Sequence, residues 1–411
     1  MNDPVAAYFL GVAREHPRCF WLDGGGARDW SGNRSIIGWL DDDDVSLSYD
    51  AAARQVTRHR SGRAEVVGDD VFDVLAAELA AEPDGQWFGY LGYACRPDLE
   101  AHPGGPVPDA VWLRPRTVRM FEHDELPSAT LVARSEPPAE VPRWYADAFD
   151  RVQEELHAGN TYEANLTYRA TIASDLLPAE AYLRLRTLNP APYAGFLQHD
   201  VDGARAWLLS SSPERYALVT DDRVLETKPI KGTTPRGATP QEDEVHRASL
   251  AGDPRFRAEN LMIVDLLRND VSMVCEPGTV EVPSLMTVES YETVHQLVST
   301  VRGRLRNEVS TLDALRALFP AGSMTGAPKR RTMEIIGAVE PTPRSAYAGA
   351  FGWIAGDGRA DLGVVIRSLF TAGDGAWTLG TGGGITVHSQ VADEYAETVW
   401  KADRLRAVFD D

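Results

Sequence analysis

Strand-like and helix-like segments follow one another along this chain without a βαβ rhythm, and that order constrains the fold more than any other feature. A doubly wound parallel sheet needs a crossover helix after nearly every strand. Here several strand-like runs succeed one another before a helix intervenes. In the front part, CFWLDG, RSIIGWL, VSLSYD, QWFGYLGY and VWLRPRTVRMF are short, alternating and aromatic, which favours a sheet. The clearest helix there is 71–82. The back part opens with a helix that places Tyr145, Phe149, Val152 and Leu156 on one face and stops at Gly159. Strands are expected at 168–172, 193–198, 206–209, 215–219, 348–354 and 363–370. Helices are expected at 259–270, 328–339 and 392–409. The fold class is therefore α+β.

At roughly 150 residues per domain, 411 residues make two domains or one large one. Proline clusters mark two seams, 96–108 with HPGGPVP and 135–142 with SEPPAEVP. The second divides a front part, 1–140, from a back part, 141–411. No Walker sequence occurs, and no GxGxxG opens a helix, which argues against nucleotide chemistry. The 61 acidic and 41 basic side chains give a net charge of −20. Such a surface repels phosphates, so neither nucleic acid nor an anionic membrane is expected as a partner. Cys19, Cys95 and Cys275 are odd in number, far apart and without a CxxC, which fits a reducing cytoplasm better than a disulfide framework. The first residues lack a basic and apolar leader, and no run approaches the ~20 apolar residues of a membrane span.

Only four of the 41 basic residues are lysines: Lys228, Lys231, Lys329 and Lys401. Arg stays protonated, whereas a desolvated Lys can serve as a free amine. Lys231 stands in ETKPIKGTTPRG, between a proline and a glycine. In that turn it is either a nucleophilic amine or a solvated loop charge. Glu214 follows Pro213 at the edge of the next strand; if partly buried beside a substrate, its carboxyl becomes a general acid. Glu214 and Lys231 could be brought together by a hairpin. Glu394 and Glu397 share a helical face, and Glu259 opens another helix. One Glu from each would suit a hard cation such as Mg²⁺, although Glu397 with Lys401 also reads as an i, i+4 surface ion pair. The glycine runs 322–329 and 380–384 offer backbone amides to an anion. Arg367, inside the apolar run VVIRSLF, needs an acidic partner or an anionic ligand. Together these features describe a pocket for a small dianion, with a metal, an Arg, backbone amides, an acid and an amine.

The runs SSPERY, PIKGTTPRG, RAENLMIVDLLRND, FPAGSMTGAPK, YAGAFGW, VVIRSLF, GTGGGI and DEYAET with WKA resemble the chorismate-utilising enzymes. That family holds anthranilate synthase large subunits, aminodeoxychorismate synthase component I, isochorismate synthases and salicylate synthases. The resemblance covers the back part almost end to end. In the front part FWLDG, NRSIIG and GYLGY are similar to the amino-terminal region of the anthranilate and aminodeoxychorismate branches. It implies an anthranilate-synthase-like fold, with antiparallel sheets packed as a sandwich and helices at the flanks. Lys231 distinguishes the branches: anthranilate synthases carry Ala in this segment, whereas PIKGT is similar to bacterial aminodeoxychorismate synthase component I. Gln296 stands where anthranilate synthases have a His linked to pyruvate elimination, and His295 lies one residue earlier.

The resemblance implies that Lys231 attacks C2 of chorismate while the C4 hydroxyl leaves, with Glu214 as general acid. Ammonia then adds at C4 and displaces the lysine. It implies Mg²⁺ held by Glu259 and Glu397 with Glu394 in support. Substrate carboxylates would be held by Gly232, Thr233, Tyr347, Arg367, Gly382, Gly383, Gly384 and Lys401. Phe256 and His388 depart from the family's pattern, which has acidic residues at both places. In this family ammonia comes from a class I glutamine amidotransferase of the Cys-His-Glu type. None of the three cysteines stands in a nucleophile-elbow context, so a separate glutaminase subunit is expected.

Overall fold

The alternating runs read from the sequence need a second apolar surface against which to bury their inward faces, and each finds it in the other sheet. The computed structural model describes residues 3–24, 34–122, 140–291 and 294–410. Within them the strands form a nine-stranded and a twelve-stranded sheet, joined by antiparallel pairings. The inner faces meet in one continuous core. Phe20 of the first sheet stacks on Phe88 of the second, with ring centroids 4.1 Å apart. Burying an aromatic of this size is worth about 1.5–3 kcal/mol, and many side chains of both sheets share the layer. Helices pack on the outer faces and at the ends, so the α+β class and the sandwich with flanking helices hold.

Strands of the front part lie in both sheets. Arg18–Asp23 pairs with Tyr193–His199, and Gln86–Leu91 pairs with Ala350–Ala355. The division into 1–140 and 141–411 is thus a division of sequence that the sheets cross. Of the second proline seam, 135–139 lie outside the described residues.

The structure departs from the expected elements at several points. The run 111–121 is two strands, Ala110–Arg114 and Thr117–Glu122, in different sheets. Pro115 between them has no N–H to give a ladder, so the chain leaves one sheet there and enters the other. The run 363–370 is likewise broken into Ala360–Val364 and Ser368–Thr371. Arg367 lies in the break at φ +49°, not inside a strand. Lys231 is on a strand, Ile230–Pro235, and is buried, which removes the solvated-loop reading. The helix carrying Glu259 starts five residues earlier than expected, because Asp253 caps it and Pro254 takes its first position. The helices Pro4–Glu15, Pro178–Leu188 and Pro240–Gly252 and the hairpin Glu281–Ser290 with Val294–Arg304 have no counterpart among the expected elements.

Candidate active site

Two links between the sheets carry the reactive side chains to one place. The first leads from Ala206–Ser212 in one sheet to Arg215–Val219 in the other and consists of Pro213 and Glu214. The second leads back from Ala360–Val364 to Ser368–Thr371 and contains Arg367. A non-glycine residue in the left-handed region is strained, and such strain collects where a side chain must point into a site. Both links open onto a cavity of about 550 Å³. Lys231, Glu214, Gly232, Thr233, Tyr347, Arg367, Gly382, Gly383, Gly384, Lys401, Glu259 and Glu397 all line it. Glu394 does not; it is buried at the cavity's edge, beside Gly383.

Glu214 is 5% exposed and accepts a hydrogen bond from the Ser323 hydroxyl. Burial pushes its carboxyl up to about 7, against the opposing pull of that hydroxyl and of Lys231, Arg367 and Lys401. It is therefore an acid poised near neutrality. Lys231 is 9% exposed, and its ammonium is ion-paired with Glu163. Burial opposes the charge, but Glu163 and Glu259 outweigh it and hold the amine above its ordinary range. Next to it Gly232 sits at φ +89°, where a Cβ would also meet the Phe256 ring at 2.8 Å. Phe256 thus fills the space beneath the lysine strand, while His388 is exposed and away from the cavity lining.

Arg367 is half-buried, and burial followed by the nearby Arg404 lowers it to about 10, so it stays cationic at neutral pH. With Lys401 and the backbone of Gly382 to Gly384 it makes one side of the cavity suited to carboxylates. Lys401 donates to the Gly382 carbonyl at 3.0 Å and pairs with Glu397 at 2.8 Å. The two remaining lysines face elsewhere: Lys228 pairs with Glu289, and Lys329 with Asp270.

An acidic cluster adjoins that side. Burial, together with the charges of Glu163, Glu394 and Glu397, pushes Glu259 up to about 7. Burial and Glu397 also raise Glu394, whereas Lys401 lowers Glu397. Among the described residues no group of three or more His, Cys, Asp or Glu converges as a metal cage. What the chain offers is two cavity-lining carboxylates, Glu259 and Glu397, with an excess of buried negative charge around them. Mg²⁺ is held in this way when one or two carboxylates, waters and an anionic ligand share its coordination. The donor set fits.

Strand alternation separates Gln296 from His295. Gln296 faces the cavity, and its Oε1 has no partner among the described residues. His295 points to the other face, bonded to Asp243 and Ser290. Two features went unread in the sequence. Glu163, in NTYEANLTY, opens the strand Glu163–Ala173, whose first five residues are buried and whose mixed polarity gave the carboxylate no signal in the sequence. A buried network of Glu340 with Arg169 and Arg344 ties that strand to the Met324 carbonyl beneath the cavity, with Arg344 donating to it at 2.6 Å.

A family profile described as chorismate binding enzyme matches residues 18–407. The chain is 38% identical over 459 residues to a Streptomyces pristinaespiralis protein named aminodeoxychorismate synthase, covering 98% of this chain and 63% of that one. It is 45% identical over 263 residues to aminodeoxychorismate synthase component 1 of Escherichia coli (strain K12), covering 64% of this chain and 56% of that one. The chain thus spans less than two thirds of the length of these curated relatives. Among solved structures, anthranilate synthase component I from Streptococcus pneumoniae TIGR4 superposes with a TM-score of 0.74 at 24% identity, over 92% of this chain and 93% of that one. The two share the fold that the sequence motifs implied.

Proposed function

The chain belongs to the chorismate binding enzyme family, and from that premise we propose that it aminates chorismate at C4 to give 4-amino-4-deoxychorismate. The product would serve para-aminobenzoate and folate synthesis or a specialised metabolite. The observation that carries the reading is a buried amine and a carboxyl held near neutrality on the wall of one cavity, Lys231 and Glu214. Lys231 bonds to C2 while the C4 hydroxyl takes the Glu214 proton and leaves as water. Ammonia adds at C4, and the C2–nitrogen bond breaks to release Lys231. Dividing the substitution in two replaces one difficult displacement with two easier ones. Arg367, Lys401, Thr233, Tyr347 and the glycine backbone orient the two carboxylates, and orientation is a large part of the barrier for a hindered ring carbon. Gln296 in the cavity, with His295 turned away, favours retention of the pyruvyl group over anthranilate formation.

Glu259 and Glu397, with Glu394 behind them, would hold Mg²⁺, which supplies charge neutralisation for the ring carboxylate. In Glu397→Gln the Mg²⁺ concentration for half-maximal rate is expected to rise by about tenfold, in line with the loss of one carboxylate ligand. Calorimetric titration of Mg²⁺ into the chain with chorismate should show the same weakening. Unchanged binding would reject Glu397 as a ligand.

Ammonia is proposed to come from a separate class I glutamine amidotransferase subunit. All three cysteines are buried and free, and burial raises their thiols, so none is poised as the thiolate that glutamine hydrolysis needs. No helix among the described residues is long and apolar enough to cross a membrane.

The reading is tested by incubating the pure chain with chorismate, Mg²⁺ and ammonium chloride, identifying the product by mass and then adding an aminodeoxychorismate lyase. The expected product retains the pyruvyl group, carries one nitrogen and is converted to para-aminobenzoate. Anthranilate, or isochorismate without nitrogen, would overturn it.

A further inference from the structure

We propose that Glu163 is the proton acceptor of Lys231: it takes a proton from the ammonium before the amine attacks and returns it when the amine is released. The inference deepens the proposed reaction and rests on Lys231 being its covalent nucleophile.

Glu163 lies on the strand Glu163–Ala173, behind the cavity wall, and is 1% exposed. Its Oε1 is the atom that meets Lys231 Nζ. Its Oε2 is buried without a partner among the described residues. A carboxylate held in water-free surroundings is stabilised by donors on both oxygens, and here Lys231 is the donor to one of them. Passing the proton across the pair turns two buried charges into a neutral acid and a neutral amine. Gly384 lies directly against the pair at the cavity wall. A Cβ there would stand 2.3 Å from Glu163 Oε1 and 3.0 Å from Lys231 Nζ, so any side chain would wedge the two apart.

Other charges also act on the amine. Glu259 on the helix Pro254–Ser272, Glu214 in the inter-sheet link and Glu397 on the helix Val391–Arg406 all interact with it electrostatically. Arg367 and Lys401 act in turn on Glu214, and Arg255 and Lys401 on Glu397. The ion pair that Lys231 makes is with Glu163. Glu214 is spoken for, since its proton leaves with the C4 hydroxyl, and two carboxylates in different surroundings then divide two tasks. The balance is as follows. One Lys231 proton passes to Glu163 Oε1, and the freed lone pair forms the N–C2 bond as the C4–O bond breaks. The departing hydroxyl takes the Glu214 proton and leaves as water. Ammonia adds at C4, the electron pair of the C2–N bond returns to Lys231, and Glu163 gives back its proton. Glu214 is reprotonated from the product ammonium group or the medium.

The test uses the full chain and Glu163→Gln, which keeps the shape of the side chain. Acetylation of Lys231 by an amine-reactive reagent, followed against pH by peptide mass spectrometry without chorismate, should reach its midpoint at least about one pH unit lower in Glu163→Gln, because the amine has lost its counter-charge. With chorismate, Mg²⁺ and ammonium, kcat should fall by about 10²-fold near pH 7 with KM for chorismate changed less than about threefold. The deficit should shrink as pH rises and solvent takes the proton instead. Formate should restore part of the rate to Glu163→Ala. An unmoved labelling midpoint, a kcat within threefold of the parent, or a loss equal at every pH would overturn the proposal. A parent chain that yields no aminated product overturns the reaction itself, and the labelling midpoint still reports separately on the pair.

Discussion

Replacing Lys231 with Ala is expected to lower the rate of chorismate amination by on the order of 10³-fold. The amine is fixed by a strand on one side and by Glu163 on the other, so in the proposed reaction its attack would be close to unimolecular once chorismate is bound. Without it, ammonia must displace the C4 hydroxyl directly, and the residual rate should scale with ammonium concentration. The product should stay the same, since Gln296 and the carboxylate side are untouched. The change also leaves Glu163 as a buried carboxylate without its ion pair, which by itself destabilises the fold. Lys231→Gln keeps a hydrogen-bond donor near Glu163 and should show the same rate loss with less thermal destabilisation. Product formation followed by mass decides it: a rate within threefold of the parent in both variants would remove the covalent role.

Glu214→Gln is expected to cost about 10²- to 10⁴-fold in kcat, the ordinary range for a positioned general acid. The sign of its pH dependence follows from burial. A carboxyl raised to about 7 is protonated, and so able to donate, below that pH; above it the acid form falls away. The parent's kcat/KM should therefore decline above about pH 7, approaching tenfold per unit. The amide of the variant does not titrate, so its much lower profile should lack that decline. A parent profile flat to pH 9, or a variant that retains the alkaline limb, would assign the leaving-group proton to another residue.

Much of this site could be read from the chain because its chemistry is concentrated in short runs. PIKGT placed Lys231, SSPERY placed Glu214, and the glycines of GTGGGI marked the carboxylate side. These runs survive as local turns and strand ends, so their meaning does not depend on distant contacts. What escaped depends on partners far away in sequence. Whether Lys231 was buried or solvated could not be read from its neighbours, because Glu163, 68 residues earlier, decides it. The expected strand through Arg367 failed for a related reason. The residues are apolar enough for a continuous strand, but the chain must change sheets there, and that requirement comes from the whole sandwich. The helix Pro240–Gly252 was missed although Thr239 and Glu242 form a reciprocal cap, a signal that stands in TPQE. The hairpin ending in Val294–Arg304 was missed because Pro283 and mixed polarity blur its first strand.

The two links that cross between the sheets have a consequence for how the protein lives and dies. Glu214 and Arg367 face one another's cavity only while both layers are docked, and Lys231 and Glu163 belong to different layers. Almost every contact that builds the site is long-range, the kind formed late in folding and paid in chain entropy before it returns anything. No half-assembled intermediate can therefore hold a working constellation. Undocking of the two layers is expected to abolish activity in the same step in which the native fold is lost.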